Sequence, residues 1–384
     1  MFSLPYILLF AFFGVLSFVY RKQDDEGKKM VRIACLIVYM MFFGFRGFVG
    51  DDWILYYRIF DQIQFSDIRH FSYVVEVHSM EPGFLLFMLL MKPLLFGSYA
   101  LFTFACTFIS LALLHRFLVR RVSNYPLALC FFLVMNGLVL QINLLRNFWT
   151  ILIFLNCLEY IQQRRPWPYF LWMTFALSLH LSAVIYFPLY FFLHKQLPRW
   201  MYLAILLFFN VLFLLQVGIV AEILQRVASS MGEGYEKLVE AYTDAKAIDK
   251  RGVISIGYLE RLITMSLFYC YYQKLMEIRE GNAIFVNSFL IYIIMNLFFY
   301  EFEEISVRLS TLFCYSYWIL WGDLLKCFHY PSNKRFFESF ILVYCLLKTV
   351  SMMETGTMAY DNVLFGAKGY DERYALHQRY APDK

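Results

Sequence analysis

The chain has 384 residues, of which 61% are hydrophobic, 21% aromatic and only 16% charged, against about half apolar and about a quarter charged in soluble domains. A chain of this balance is solvated mainly by lipid. Its formal net charge of +5 is scattered over short connections without a dense basic stripe, which excludes nucleic-acid binding and fits the positive-inside bias of a bacterial membrane protein.

A spanning helix needs about 17 to 25 mostly apolar residues, and such runs recur along the whole chain. The first, Ser3 to Tyr20, lacks a basic leading region and is followed by Arg21, Lys22, Lys28 and Lys29. It reads as a retained span with its N-terminus outside the cytoplasm. Val31 to Phe45, Tyr99 to Leu118, Tyr125 to Leu140, Phe148 to Ile161 and Trp200 to Val220 follow. Tyr258 to Gln273, Ile284 to Tyr300, Leu309 to Leu325 and Phe336 to Val350 complete the set. Two further runs are interrupted. Pro82 to Phe96 contains Lys92-Pro93, and Tyr169 to Leu193 has His180 at its middle and Pro188 beyond. Each reads as a re-entrant segment or a helical hairpin, since a break at membrane depth needs cover from protein or water.

The expected fold is therefore all-α: a polytopic transmembrane helical bundle of about 10 to 12 spans with short re-entrant or broken segments. No internal repeat or linker divides it, so residues 1–353 read as one membrane domain, with an extracytoplasmic loop at 222–257 and a C-terminal tail at 354–384. Connections bearing Arg116, Arg120, Arg121, Arg164, Arg165, Lys195, Arg199, Lys274, Arg279, Lys326, Lys334 and Arg335 are cytoplasmic by the charge rule. The opposite face receives Arg46 to Glu81, Gln141 to Asn147, the tip near His180, Glu222 to Gly257, Glu301 to Arg308 and the tail. The eight cysteines all fall in apolar stretches with no CxxC, which reads as packing and not as a zinc or disulfide framework.

Six places on that outer face could carry chemistry. Arg46 closes the second span in GFRGFVGDD, just before Asp51 and Asp52; it either snorkels to the interface or is held over a polar substrate. Glu81 precedes Pro82-Gly83 and reads equally as a helix-start carboxylate. Arg146 sits in QINLLRNFW between two apolar runs, with Gln141, Asn143 and Asn147 as its polar company. A cation so placed faces a bundle interior or a wet cavity, and its guanidinium suits phosphate oxygens. His180 lies mid-run; a lone histidine is most often a satisfied core residue, but a neutral imidazole can also take a proton from a hydroxyl. Glu303, Glu304 and Arg308 form the knot EFEEISVRLS, either a salt-bridged connector or part of a site. The mixed-charge stretch 222–257, with Tyr235 and Tyr242 among Glu233, Glu236, Lys237, Glu240, Asp244, Lys246, Asp249, Lys250 and Arg251, reads as a surface loop or as a sugar-contacting segment.

The order of GFRGFVGDDWILYYRIF, MEPGFLLF, LLRNFWTILIFLNCLEYI, LSLHLSAVIYFPLYFF and ISVRLSTLF resembles the EpsG family of exopolysaccharide polymerases, relatives of the Wzy-type O-antigen and capsule polymerases. The resemblance implies a glycosyltransferase of the bacterial inner membrane. It would join undecaprenyl-diphosphate-linked oligosaccharide repeat units at the periplasmic face, with no cofactor and no metal, beside a chain-length regulator and a flippase of the same pathway. Matching positions are Arg46, Asp51, Glu81, Arg146, His180 and Arg308; His180, Arg146, Glu81 and Asp51 are the catalytic candidates, and Arg46 and Arg308, with their neighbours Asp52 and Glu303, the substrate-binding ones. The chain departs from the family in having Gly50-Asp51-Asp52 for Gly-Thr-Asp, which leaves the two aspartates unranked, and Arg146-Asn147 for Arg-Gln. On this reading Arg146, helped by Arg46 or Arg308, stabilises the departing diphosphate, and His180, Glu81 or Asp51 is the base. A flippase or transporter of the same lipid-linked sugars is the main rival, and a membrane ligase or acyltransferase another.

Overall fold

The computed structural model describes residues 2–223, 226 and 255–381. Regular structure among them is helical, apart from one isolated antiparallel bridge between Arg46 and Asn362. The stretch from Glu233 to Arg251, with Tyr235 and Tyr242, lies outside the described residues.

The chain divides into two compact units, Met1–Phe192 with Arg335–Lys384, and Leu193–Lys334. The first contains α1 (Leu4–Tyr20), α2 (Asp25–Tyr39), α3 (Trp53–Gln62), α4 (Phe71–His78), α5 (Pro82–Leu94), α6 (Tyr99–Arg121), α7 (Tyr125–Phe132), α8 (Leu138–Ile142), α9 (Leu145–Asn156), α10 (Leu158–Gln162), α11 (Pro166–Leu179) and α12 (Leu189–Phe192). The second contains α13 (Arg199–Leu214), α14 (Ile256–Cys270), α15 (Tyr272–Ile278), α16 (Ala283–Phe298), α17 (Glu303–Thr311) and α18 (Tyr315–Cys327). Pro331–Met353 forms α19, and Tyr370–Tyr380 forms α20 in the tail.

Among the described residues three helices are long and apolar enough to cross a bilayer: Tyr99–Arg121, Tyr125–Ile142 taken through its bulge, and Pro331–Met353. The apolar helices α1, α5, α13 and α16, and the broken Leu181–Phe192 segment, are shorter. Interruption explains part of this. The Tyr125–Ile142 run passes through a π-turn in which Asn136 takes a left-handed φ of 66°, α2 continues into a π-turn at Met40–Gly44, and the Phe148–Ile161 run is split at Cys157. α5 has 13 residues, a rise of about 20 Å against a hydrocarbon core of about 30 Å. The run Tyr169 to Leu193 is broken where the sequence places its histidine: α11 stops at Leu179, His180 is extended (φ −161°, ψ 135°), and a 3-10 turn resumes at Leu181.

Burial follows the pattern of a membrane bundle. α9 is buried on every side from Phe148 to Leu155, as expected of a central helix apolar all round. α1 buries Tyr6, Phe13 and Tyr20 but leaves Leu8 60%, Val15 63% and Phe18 64% exposed, an apolar flank suited to lipid. In the second unit α16 is the buried element, and Asp323, itself buried, is gripped by Arg279 at 2.9 Å and Lys326 at 3.0 Å. None of the eight cysteines forms a disulfide; seven are buried and Cys270 is exposed.

Candidate functional site

The first turn of α9 carries Arg146, a position where the helix dipole disfavours a cation. The countercharge comes from Glu81. That residue is the N-cap of α5, yet its side chain caps nothing in its own helix. Helix capping, one of the two sequence readings, therefore does not account for it. One carboxylate oxygen, Oε2, pairs with Arg146 Nη1. The other, Oε1, lies 2.8 Å from His180 Nδ1 and accepts from the Leu181 backbone N–H at 3.1 Å. A single carboxylate thus ties the start of α5 and the start of α9 to the break after α11.

Local sequence explains the approach. Pro82 occupies the first turn of α5, where its missing N–H costs nothing. At Gly83 a Cβ would run into the Ser178 side chain and backbone. Only glycine lets the head of α5 sit against the end of α11, two residues before His180.

The electrostatics fix the state of this cluster. Burial pushes the Glu81 carboxyl up, but the His180 hydrogen bond and the Arg146 charge outweigh it and hold the group down at about 2. An ionised Glu81 only accepts, so the 2.8 Å contact requires the hydrogen on His180 Nδ1. The Ser182 N–H also points at Nδ1, at 3.5 Å, but a nitrogen that donates along the shorter contact does not accept along the longer. In the neutral form of the ring this tautomer leaves the other nitrogen, Nε2, as the acceptor. Arg146, Glu81 and His180 side chains are 18%, 20% and 24% exposed, so the cluster is enclosed but open to a ligand.

Neighbours complete it. Arg146 Nε donates to Tyr56 Oη at 3.2 Å, with the guanidinium 5.7 Å from that ring centroid, and Ser182 Oγ donates to Asn147 Oδ1 at 2.6 Å. Asp52 lies close enough to act on both Arg146 and Tyr56.

Asp51 belongs to an adjacent layer. Its N–H donates to Asn143 Oδ1 at 2.9 Å and its Oδ2 accepts from Asn143 Nδ2 at 3.4 Å, three residues before Arg146. Gly50 makes room with a φ of +91°; a Cβ there would collide with Asn143. The Asp51 Oδ1 meets His377 Nε2 at 3.1 Å. Arg46 donates through Nη1 to Phe43 O at 2.9 Å and Thr107 Oγ1 at 3.3 Å, and Thr107 also receives Gln141, itself bonded to Tyr39. Among the described residues no carboxylate pairs with Arg46.

Arg308 and Glu303 lie in the second unit. Arg308 makes an exposed pair with Glu304 one helical turn away at 2.6 Å, the geometry of a surface connector of little energetic weight. Tyr56, Ser182 and His377 were not singled out by sequence reasoning: Tyr56 follows an aspartate pair as ordinary helix, Ser182 is a common small residue, and His377 sits in a polar tail. Among the described residues no group of three His, Cys, Asp or Glu side chains is gathered as a metal site would need.

No match is found to any curated protein or to any solved structure. The EpsG family profile, in contrast, matches residues 28–364, a span that takes in Arg46, Asp51, Glu81, Arg146, His180 and Arg308. A helical membrane protein with this cluster, matched over most of its length, belongs to the EpsG family.

Proposed function

We propose that the chain is a polysaccharide polymerase that joins lipid-diphosphate-linked oligosaccharide units at the outer face of the bacterial inner membrane. The observation that carries this reading is the Glu81 carboxylate shared between Arg146 and His180, in a family of exopolysaccharide polymerases. In the reaction, a hydroxyl oxygen of the acceptor sugar attacks the anomeric carbon of the donor. The bond from that carbon to the diphosphate oxygen breaks, and a glycosidic bond forms. His180 Nε2 takes the hydroxyl proton, Glu81 steadies the imidazolium, and the diphosphate leaves with the bonding electrons on its lipid. Glu81 already neutralises most of the Arg146 charge, so Arg146 positions Glu81 and adds only part of its field to the leaving group. Arg46, which has no carboxylate partner among the described residues, supplies the larger share of unspent positive charge for the diphosphate.

This reading takes about 10 to 12 crossings, counting the interrupted helices, with α5 re-entering without crossing, so that these residues share the outer side. The substrate is undecaprenyl diphosphate carrying a repeat unit of O-antigen, capsule or exopolysaccharide, and a flippase and a chain-length regulator are the expected partners.

A gel of surface glycan from a deletion strain complemented with the wild-type gene or with R146A, E81A or H180A tests this. The wild type should restore a ladder, and each variant should leave single units already exported. Precursor accumulating on the cytoplasmic leaflet would instead indicate a flippase, a reading that the broken helix at His180 also fits.

A further inference from the structure

Residues 46–53, which carry Arg46, Asp51 and Asp52, are held by a segment more than three hundred positions away. The Gly47 N–H donates to Asp361 O at 2.9 Å, the Gly50 N–H to Thr357 O at 3.0 Å, and the Val363 N–H to Phe45 O at 2.8 Å. α20 then lays one face over the loop, at helical spacing. Tyr370 stacks on Tyr57 with ring centroids 4.8 Å apart. Arg373 donates Nε to Phe48 O at 2.6 Å and Nη2 to Ala359 O at 2.9 Å. His377 reaches Asp51.

Simple anchoring does not explain the choice of His377. Its side chain is 3% exposed, and while Nε2 faces Asp51, Nδ1 is buried without a hydrogen-bond partner among the described residues. An orphaned buried nitrogen destabilises, so an apolar residue would fasten the helix better. What the imidazole adds is a donor to a carboxylate that is still 24% exposed. Asn143 grips that carboxylate from the other side, one turn before Arg146. The family match ends at residue 364, so α20 lies beyond it and yet completes this layer.

We propose that α20 is a working part of the site: Asp51 accepts hydrogen bonds from sugar hydroxyls of the lipid-linked unit, and His377 is a positioning residue that fixes its carboxylate. A partly exposed carboxylate held by the Asn143 amide and the His377 ring has the chemistry of a hydroxyl-binding group, its remaining lone pairs free to accept from sugar hydroxyls. The inference rests on the polymerase reading. It adds that substrate recognition, not bond formation, depends on the tail.

The test uses the full-length protein in liposomes, with lipid-linked single units extracted from the deletion strain as the probe. A wild type that builds no ladder would sink the polymerase reading, and this inference with it. Given a wild-type ladder, H377A should raise the KM for the lipid-linked unit about tenfold, the worth of one charge-assisted hydrogen bond, and leave kcat within about twofold. H377Q, whose amide can still donate to Asp51, should recover most of the loss. The D51N/H377A pair should be no worse than D51N alone, as expected of residues acting through one contact. Unchanged KM in H377A, a loss confined to kcat, or H377Q failing as badly as H377A while both elute as aggregates would each overturn the proposal in favour of a structural anchor.

Discussion

Arg146 opens the central helix with a charge that its own dipole opposes, and the Glu81 carboxylate from another helix makes the position tolerable. Loss of the guanidinium leaves Glu81 without its countercharge, held by His180 and the Leu181 N–H, so R146A should abolish long polymer. R146K should retain only a small fraction of the activity, since an ammonium cannot hold Glu81 and Tyr56 along one planar fork; polymer length on a gel checks both. The depressed Glu81 value carries a pH consequence. A carboxyl ordinarily near 4.5 and held at about 2 contributes stability that is complete above the higher value and is lost as pH falls through the lower. The difference in thermal stability between wild type and E81Q, measured in detergent, should be constant from about pH 5 to about pH 8 and shrink below about pH 4. Arg146 and His180 were readable from sequence because an ionisable group in an apolar run is costly unless it has a purpose. The ambiguity at Glu81 was of another kind: a carboxylate before Pro-Gly is a common helix start, and only the side chain's direction shows that it serves two other elements. Arg308, in the charge-dense EFEEISVRLS, was an equally open candidate but pairs with its own helical neighbour.

At the scale of elements, the site exists because α5 approaches the end of α11 closely. G83A should push the head of α5 outward, at a packing cost of about 1 to 3 kcal/mol, and separate Glu81 from His180. Polymer formation should fall by more than about tenfold, while the protein still elutes as a monodisperse species; normal activity would show that the contact can stretch. The interruption of the Tyr169 to Leu193 run at His180 was legible, since a histidine and a downstream proline mark a break in an apolar stretch. The π-turns at Met40–Gly44 and Leu133–Gly137 were not. MMFFG is apolar and carries no breaker before its glycine, so its geometry comes from tertiary packing; LVMNG does hold the turn-prone pair Asn136-Gly137, with Asn136 in the left-handed region, but the long apolar run around it masks that signal. Nor could the grip of the tail on residues 46–53 be read, because backbone bonds across such a separation leave no local pattern.

Across the whole molecule, composition alone gives a lipid-solvated helical protein, and loop charge gives one face for the candidate residues. The two compact units left no trace in composition, since both are equally apolar. The sidedness is open to direct labelling. With the exposed Cys270 replaced by serine, a membrane-impermeant maleimide added to spheroplasts should modify S79C, exposed two residues before Glu81, and spare K29C. The reverse pattern would place the cluster on the cytoplasmic side. The decisive measurement is reconstitution of the purified chain in liposomes with lipid-linked single units. Glycan should grow in steps of one unit with one lipid diphosphate released per bond, and H180A should stop both processes while still binding the lipid-linked unit. Polymer formed equally well by H180A, or none formed by the wild type, would contradict the account.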